Sequence, residues 1–348
     1  MFRLTKSSAT HNQDSKPLGA STRDAYAEAL VALGMEHDDL VVLDADLGKS
    51  TRTLIFRERF PERFFDIGIA EQNMIGIAAG LATCGLVPFA STLGVFATRR
   101  VCDQVSVSVA YAGLNVKIVG THTGLEMGQD GATHQALDDI SIMRAIPNMT
   151  IVVPSDAAQT LAAVKAVYEH KGPVYLRLGR GPVPAIYRGE DAICFKIGKA
   201  ITLRTGCDLT IMATGVMVAR SLAAAKDLAA RGVRAGVVDF HTLKPLDITA
   251  VRVAAEKTGA IVTAEDHSII GGLGSAVAEA LAETTPVPLR RVGVRDTFAE
   301  SGSSEDLSRK YGLSIAAIVE ASLDVLGRKE EMAIAGDQRQ TKETGIRG

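Results

Sequence analysis

The sequence contains no tryptophan, and aromatic residues occupy only 5% of its 348 positions. Large rings therefore cannot fill most of a core, and the 33 glycines point to close packing of small residues instead. Cysteine is as scarce: Cys84, Cys102, Cys194 and Cys207 are the whole set. No CxxC pair occurs and no Cys/His cluster has zinc-ligand spacing, which argues against a disulfide framework or a structural zinc site. The four are expected to be reduced, mostly buried thiols of a cytoplasmic protein. The opening MFRLTKSSATHNQDSKPLGA lacks the apolar centre of a signal peptide. No apolar run reaches the roughly 18 residues of a membrane span. Neither sign of charge dominates, at a formal net charge of -2, so nothing suggests nucleic acid or a membrane surface as partner.

What is present is an ordinary globular balance, 47% hydrophobic and 22% charged, with length enough for two or three domains. From Ser21, STRDAYAEALVALGME carries a capping residue and apolar positions at helical spacing. The apolar run VVLDAD then ends in acids, at the end of a strand where open α/β sheets place ligands. Strand and helix patterns alternate from there through GPVYLRLGR, and the alternation restarts at CDLTIMATG. The fold class expected is α/β, with two doubly wound domains of mostly parallel sheets. The divisions expected are a flexible arm (1–20), a first domain (21–190), a linker (191–205), a smaller second domain (206–327) and a disordered tail (328–348).

The stretch FFDIGIAEQNMIGIAAGLATCGLVPFAS is apolar or small almost throughout, yet Glu71 stands in its middle at the start of a helix. A carboxylate among Ile, Ala and Met is costly unless paired or hydrogen-bonded, and a helix N-terminus partly relieves that cost. Two readings follow from the residues alone. Glu71 is a structural helix-end acid, or it exchanges a proton with a ligand nitrogen in a dry pocket. His122 and His134 flank a glycine-rich loop beside Asp130. A lone loop histidine is more often a surface or helix-capping residue; two beside an Asp raise the odds of a role in binding, since neutral imidazole both donates and accepts.

These segments carry a resemblance. DIGIAEQNMIGIAAGLA, PFAST and GQDGATHQALDDISIMRAIPNMTIVVPSD resemble the pyrimidine-binding domain of the transketolase family of thiamine diphosphate enzymes. AEDHSIIGGLGSAVAEAL and VGVRDTFAESGSSEDLSRKYGL resemble its C-terminal domain. The match runs from about Ser21 to Gly327 and is best to the C-terminal subunit of split transketolases. The resemblance implies that Glu71 hydrogen-bonds N1′ of the cofactor's aminopyrimidine, favouring the imino tautomer that deprotonates the thiazolium carbon. It implies that Phe96 stacks on that ring, although many relatives carry further aromatics where this chain has Leu93 and Arg99. Asp46, with Leu47 beside it, is placed near the cofactor. His134 and Asp130 are placed on substrate hydroxyls, His122 near the substrate carbonyl, and Arg23, Ser50 and Arg180 at a sugar phosphate.

Two motifs fail on inspection. LGKST lacks the earlier glycine of a phosphate loop, since Leu43 stands there, and GGLGSAV has Val277 where a dinucleotide fingerprint needs a third small residue. More telling, the family's Gly-Asp-Gly segment, which with a later Asn ligates the diphosphate-bound Mg2+, occurs nowhere in the sequence. The resemblance therefore implies an N-terminal partner subunit that holds the diphosphate and metal, in an α2β2 assembly acting on a sugar or sugar phosphate. The alternatives are a 1-deoxy-xylulose-5-phosphate synthase-like or 2-oxo acid dehydrogenase β subunit, a non-catalytic regulatory subunit of the same fold, and, disfavoured by the failed motifs, a nucleotide-binding module.

Overall fold

A computed structural model describes residues 18–187 and 193–345, with side chains described as far as residue 334. Residues 1–17 of the expected arm, 188–192 of the expected domain junction and 346–348 of the expected tail lie outside the described residues.

Two sheets organise the chain. The first has seven strands in the order Thr242–Lys244, Thr150–Val152, Val174–Arg177, Lys117–Thr121, Val87–Leu93, Leu40–Asp44, Phe64–Asp66. All pair in parallel except Thr242–Lys244, which comes from the second half of the chain and closes one edge antiparallel. The central strands are buried on both faces, which is why VVLDAD-like runs show no alternation. The second sheet has five strands, Leu289–Val294, Ile261–Ser268, Leu209–Ala213, Ala235–Asp239 and Ile201–Arg204, of which only the last is antiparallel. The expected α/β class with mostly parallel sheets is what the chain adopts.

The helix Thr22–Glu36 starts as its sequence requires, with Ser21 Oγ accepting the Asp24 N–H. Val238, Phe240, Leu243, Leu273 and Val277 of the second half share one apolar core with Leu43, Ile75, Ile118 and Ile151 of the first, so the two halves pack as neighbours. A buried polar bridge crosses the same boundary. Arg177 donates to Asp139 Oδ2 at 2.7 Å and to the Asp266 carbonyl at 2.9 Å. Coulombic pairing with Arg177 and His267 and hydrogen bonds from Arg177 and Tyr175 outweigh burial and hold the Asp139 carboxyl below its usual range.

Four expectations need correction. Residues 18–20, placed in the flexible arm, form the strand Leu18–Ser21, which pairs with Pro182–Pro184. Residues 201–204, placed in the linker, form the antiparallel edge of the second sheet, a short pairing that no periodicity announces. Residues 328–345, expected as a disordered tail, continue the helix Ile315–Gly345. That segment is rich in Lys, Glu, Ala and Gln, which favour helix without needing a partner face. Lys329 anchors its start by donating to the Thr258 carbonyl at 2.7 Å and the Asp208 carbonyl at 3.2 Å. Finally, the cysteines are free but none is buried: Cys84 and Cys194 are exposed, Cys102 and Cys207 half-buried. They lie at element ends and in connections, not at strand centres.

Candidate active site

The carboxyl ends of the first sheet's parallel strands converge on one edge, and the chain is bent there into unusual backbone. Among the described residues, Asp46, Arg52, His122 and Asn148 are the non-glycine residues with positive φ, at 58°, 69°, 57° and 65°. The first three follow strands Leu40–Asp44 and Lys117–Thr121 directly or within one loop. Side chains rarely tolerate this region, and such outliers gather where surrounding structure fixes them for a purpose. Asp44 fixes the first loop. It is fully buried and accepts hydrogen bonds from Leu47 N, Thr51 Oγ1 and Thr53 Oγ1 at 2.6, 2.7 and 2.8 Å. Burial raises its carboxyl, and these three bonds oppose the rise.

The second domain fixes the glycine-rich loop. Asp266 Oδ1 accepts the Leu125 N–H at 3.0 Å. Gly124 has φ 72°, and a Cβ there would lie 2.0 Å from Asp266 Oδ2, so only glycine fits. The glycine-rich loop has a shape of its own. It forms a kinked 3-10 turn over Gly124–Asp130.

Within this frame the expected residues fall into two groups. In the first, Glu71 opens the helix Glu71–Thr83 and is 1% exposed. Its two carboxylate oxygens accept from Nη1 of Arg100 at 2.7 and 2.8 Å. The Arg100 guanidinium lies 4.2 Å from the centroid of the Phe96 ring, and Phe96 meets His134 edge-on at 5.5 Å. Leu47 and Phe96 pack on the small apolar cluster of Leu93, Val95, Met127 and Ala136. The structure thus brings Glu71, Phe96, His134 and Leu47 to one place. Asp46 is exposed beside them, its N–H donating to Asp66 Oδ1 at 3.1 Å.

In the second group, Arg23 Nη1 donates to the Ser50 carbonyl at 2.9 Å and to His122 Nε2 at 3.0 Å. Since Arg23 can only donate, His122 Nε2 accepts, and the ring proton sits on Nδ1, facing Thr121 Oγ1 at 2.9 Å. Burial first, then the charges of Arg23, Arg180 and Arg52, lower the His122 pKa to about 3, so this ring is neutral at any ordinary pH. Arg180 donates to the Met127 carbonyl at 2.9 Å and faces Asp130 at 3.4 Å, both partly exposed.

Two members escaped sequence reasoning. Arg52 pairs with Asp24 at 2.8 Å and adds a third cation near His122. Arg100 carries no signal except its place four residues after Phe96, and its partner Glu71 is far away in sequence. Arg99 is tied to Asp138 by two hydrogen bonds from Nε at 2.8 and 3.0 Å. A groove of about 540 Å³ elsewhere, between Leu243, Lys244 and Glu279, has its cations engaged among the described residues. There Arg144 is paired with Glu279, and Lys244 donates to the Arg144 and Ile146 carbonyls.

Residues 19–185 match the family model of the transketolase pyrimidine-binding domain, and residues 198–318 that of the transketolase C-terminal domain. The chain is 51% identical over 307 residues to the 6-deoxy-6-sulfo-D-fructose transketolase subunit SqwH of Clostridium sp. (strain MSTE9), covering 88% of this chain and 95% of that protein. It is 40% identical over 302 residues to an apulose-4-phosphate transketolase subunit of Phocaeicola vulgatus (strain ATCC 8482), covering 87% and 96%. Among solved structures, a split gene transketolase in an inactive β4 tetramer is 52% identical, with a TM-score of 0.84 over 89% of this chain and 100% of that one.

Proposed function

The chain belongs to the transketolase family, and from that premise we propose that it is the C-terminal, β-like subunit of a two-chain, thiamine diphosphate-dependent transketolase. The reaction is transfer of a two-carbon ketol unit from a ketose to an aldose. The observation that carries this reading is Glu71: a carboxylate almost wholly removed from water, at a helix start, directed at a planar group stacked on Phe96.

These residues fit the cofactor's ring. Glu71 offers a dry acid to a ring nitrogen, Phe96 a face, and Leu47 with its apolar neighbours a wall. When bound, the cofactor supplies a carbon nucleophile that accepts and releases the ketol unit. Glu71 would hold or yield a proton at the ring nitrogen from a position that is itself 1% exposed. His122, neutral and tautomerically fixed, presents its ring beside Arg23 where a substrate carbonyl or hydroxyl would lie. His134 and Asp130 bind hydroxyls at the mouth of the site.

Arg23, Arg52 and Arg180 around His122 make an anionic substrate end the natural ligand of this half of the site. The sulfo-sugar and apulose-4-phosphate relatives are both called after anionic sugars. The diphosphate and its Mg2+ are assigned to an N-terminal partner, because the Gly-Asp-Gly segment is missing here. Association is supported by an exposed face: Ile69, Val107 and Tyr111 are 78%, 57% and 87% exposed, and Gly76 and Gly80 of the Glu71 helix face open space. The assembly we assign is α2β2, two copies of this chain each paired with one N-terminal partner. The similar solved chain, alone an inactive β4 tetramer, accords with a subunit that needs its partner. Among the described residues no helix is long and apolar enough to cross a membrane.

The test is reconstitution. The purified chain should show no ketol transfer from a phosphorylated ketose, and addition of an N-terminal subunit with a Gly-Asp-Gly segment should create it. Activity of the chain by itself, or transfer only from pyruvate in the complex, would refute the assignment.

A further inference from the structure

We propose that Arg100 is a placeholder for the aminopyrimidine ring: its guanidinium occupies both the acceptor and the stacking face the ring needs, and ring binding displaces it. The inference rests on the function proposed above. Three observations carry it. A single nitrogen, Arg100 Nη1, takes both oxygens of Glu71, at 2.7 and 2.8 Å, where a ring nitrogen would be received. The guanidinium, planar and nitrogen-bearing like an aminopyrimidine, lies over the Phe96 ring at 4.2 Å. The side chain is 42% exposed while Glu71 is 1% exposed, so Arg100 has solvent to swing into and Glu71 does not.

Neighbouring hydrogen bonds hold the backbone on either side of this side chain. Arg99 is bound to Asp138, and Gln72 Nε2 donates to the Arg100 carbonyl at 3.0 Å, so the segment stays while the guanidinium leaves. The physical need is plain. A buried carboxylate without a partner is strongly unfavourable, and a subunit waiting for its cofactor must meet that need from its own residues. Arg100 does so with a contact that is open to water on the arginine side, which leaves the guanidinium a path out once the ring takes its place. Ring binding then exchanges the guanidinium for the ring and one proton from water, held between Glu71 and the ring nitrogen, and ring affinity is lowered by whatever the arginine contact is worth.

The experiment measures thiamine diphosphate binding to the full chain, in the presence of Mg2+, by saturation-transfer NMR on the pyrimidine methyl group. It compares the native chain with Arg100→Ala, Arg100→Lys and Glu71→Gln. Arg100→Ala should bind roughly tenfold more tightly, and its ligand-free melting temperature should fall and recover when the probe is added. Arg100→Lys, which keeps charge but loses the plane, should lie between the native chain and Arg100→Ala. Glu71→Gln should lose the binding. If binding depends on Glu71 but Arg100→Ala binds equally or more weakly, Arg100 supports the ring and the placeholder idea is overturned. If no protein shows Glu71-dependent binding, with or without an N-terminal subunit, the function proposed above fails and this inference falls with it.

Discussion

Around Glu71 one buried acid meets one half-exposed arginine, whereas around His122 three arginines gather, with Asp24 and Asp130 answering them among the described residues. The first half of the site is charge-balanced and lined with apolar residues, which suits a heteroaromatic ring that trades a proton. The second carries an excess of fixed positive charge around a histidine kept neutral, which suits an anion with hydroxyls nearby. The contrast shows how one sheet edge can serve two chemistries. Both Glu71 and His122 are buried; what differs is the charge around them, one arginine at the first and three at the second.

The most damaging way to break the comparison is Glu71→Gln in the reconstituted complex. It should lower kcat by roughly 10²–10⁴-fold, with slowed hydrogen–deuterium exchange at the thiazolium carbon and an intact fold by circular dichroism. An unchanged exchange rate would remove Glu71 from the reaction. Next, Arg23→Ala should lower kcat/KM for a phosphorylated ketose by roughly 10–100-fold, chiefly through KM, and flatten its dependence on salt. The same change should matter far less for a ketose without an anionic end; equal losses on both would deny the second half its anion.

A smaller effect sharpens the electrostatic side. The folded pKa of His122, about 3, lies below an unfolded value of about 6.5. As pH falls through that window, the unfolded chain takes up a proton that the native chain refuses, so native stability falls with pH until about 3. Imidazole NMR should show the His122 ring neutral well below pH 6, and His122→Gln should lessen the acid loss of stability. A ring titrating at an ordinary histidine value would contradict the cation cluster. The least effect is expected of Asp130→Asn. Its pair with Arg180 is exposed on both sides, so stability by chemical denaturation should change by less than about 1 kcal/mol, while discrimination among hydroxyl configurations shifts. A large loss of stability would mean that Asp130 holds the loop together.

Much of the fold was legible because its signals are local. The strand Leu40–Asp44 begins as a continuous apolar run, and the helix Thr22–Glu36 announces itself through its Ser21 cap. Short or paired elements were not legible. Thr242–Lys244, Ile201–Arg204 and Leu18–Ser21 are strands only because a partner lies alongside. The site divided in the same way. Glu71 stood out as a charge among apolar residues, and His122, His134 and Asp130 as polar groups around glycines. Arg52 and Arg100 looked like any surface arginine, since nothing near them in sequence told which acid or ring they would meet.

The sequence by itself determined the layered α/β class, the misplaced acid at the head of a helix, and the lack of a Gly-Asp-Gly metal segment, because each is a matter of residue type and spacing. Only the tertiary structure decided that His122 is held neutral with Nε2 accepting, and that Glu71 is answered by Arg100 over Phe96. Proton position and ion pairing depend on burial and on distances of a few ångströms between distant parts of the chain, and spacing along the chain does not encode them.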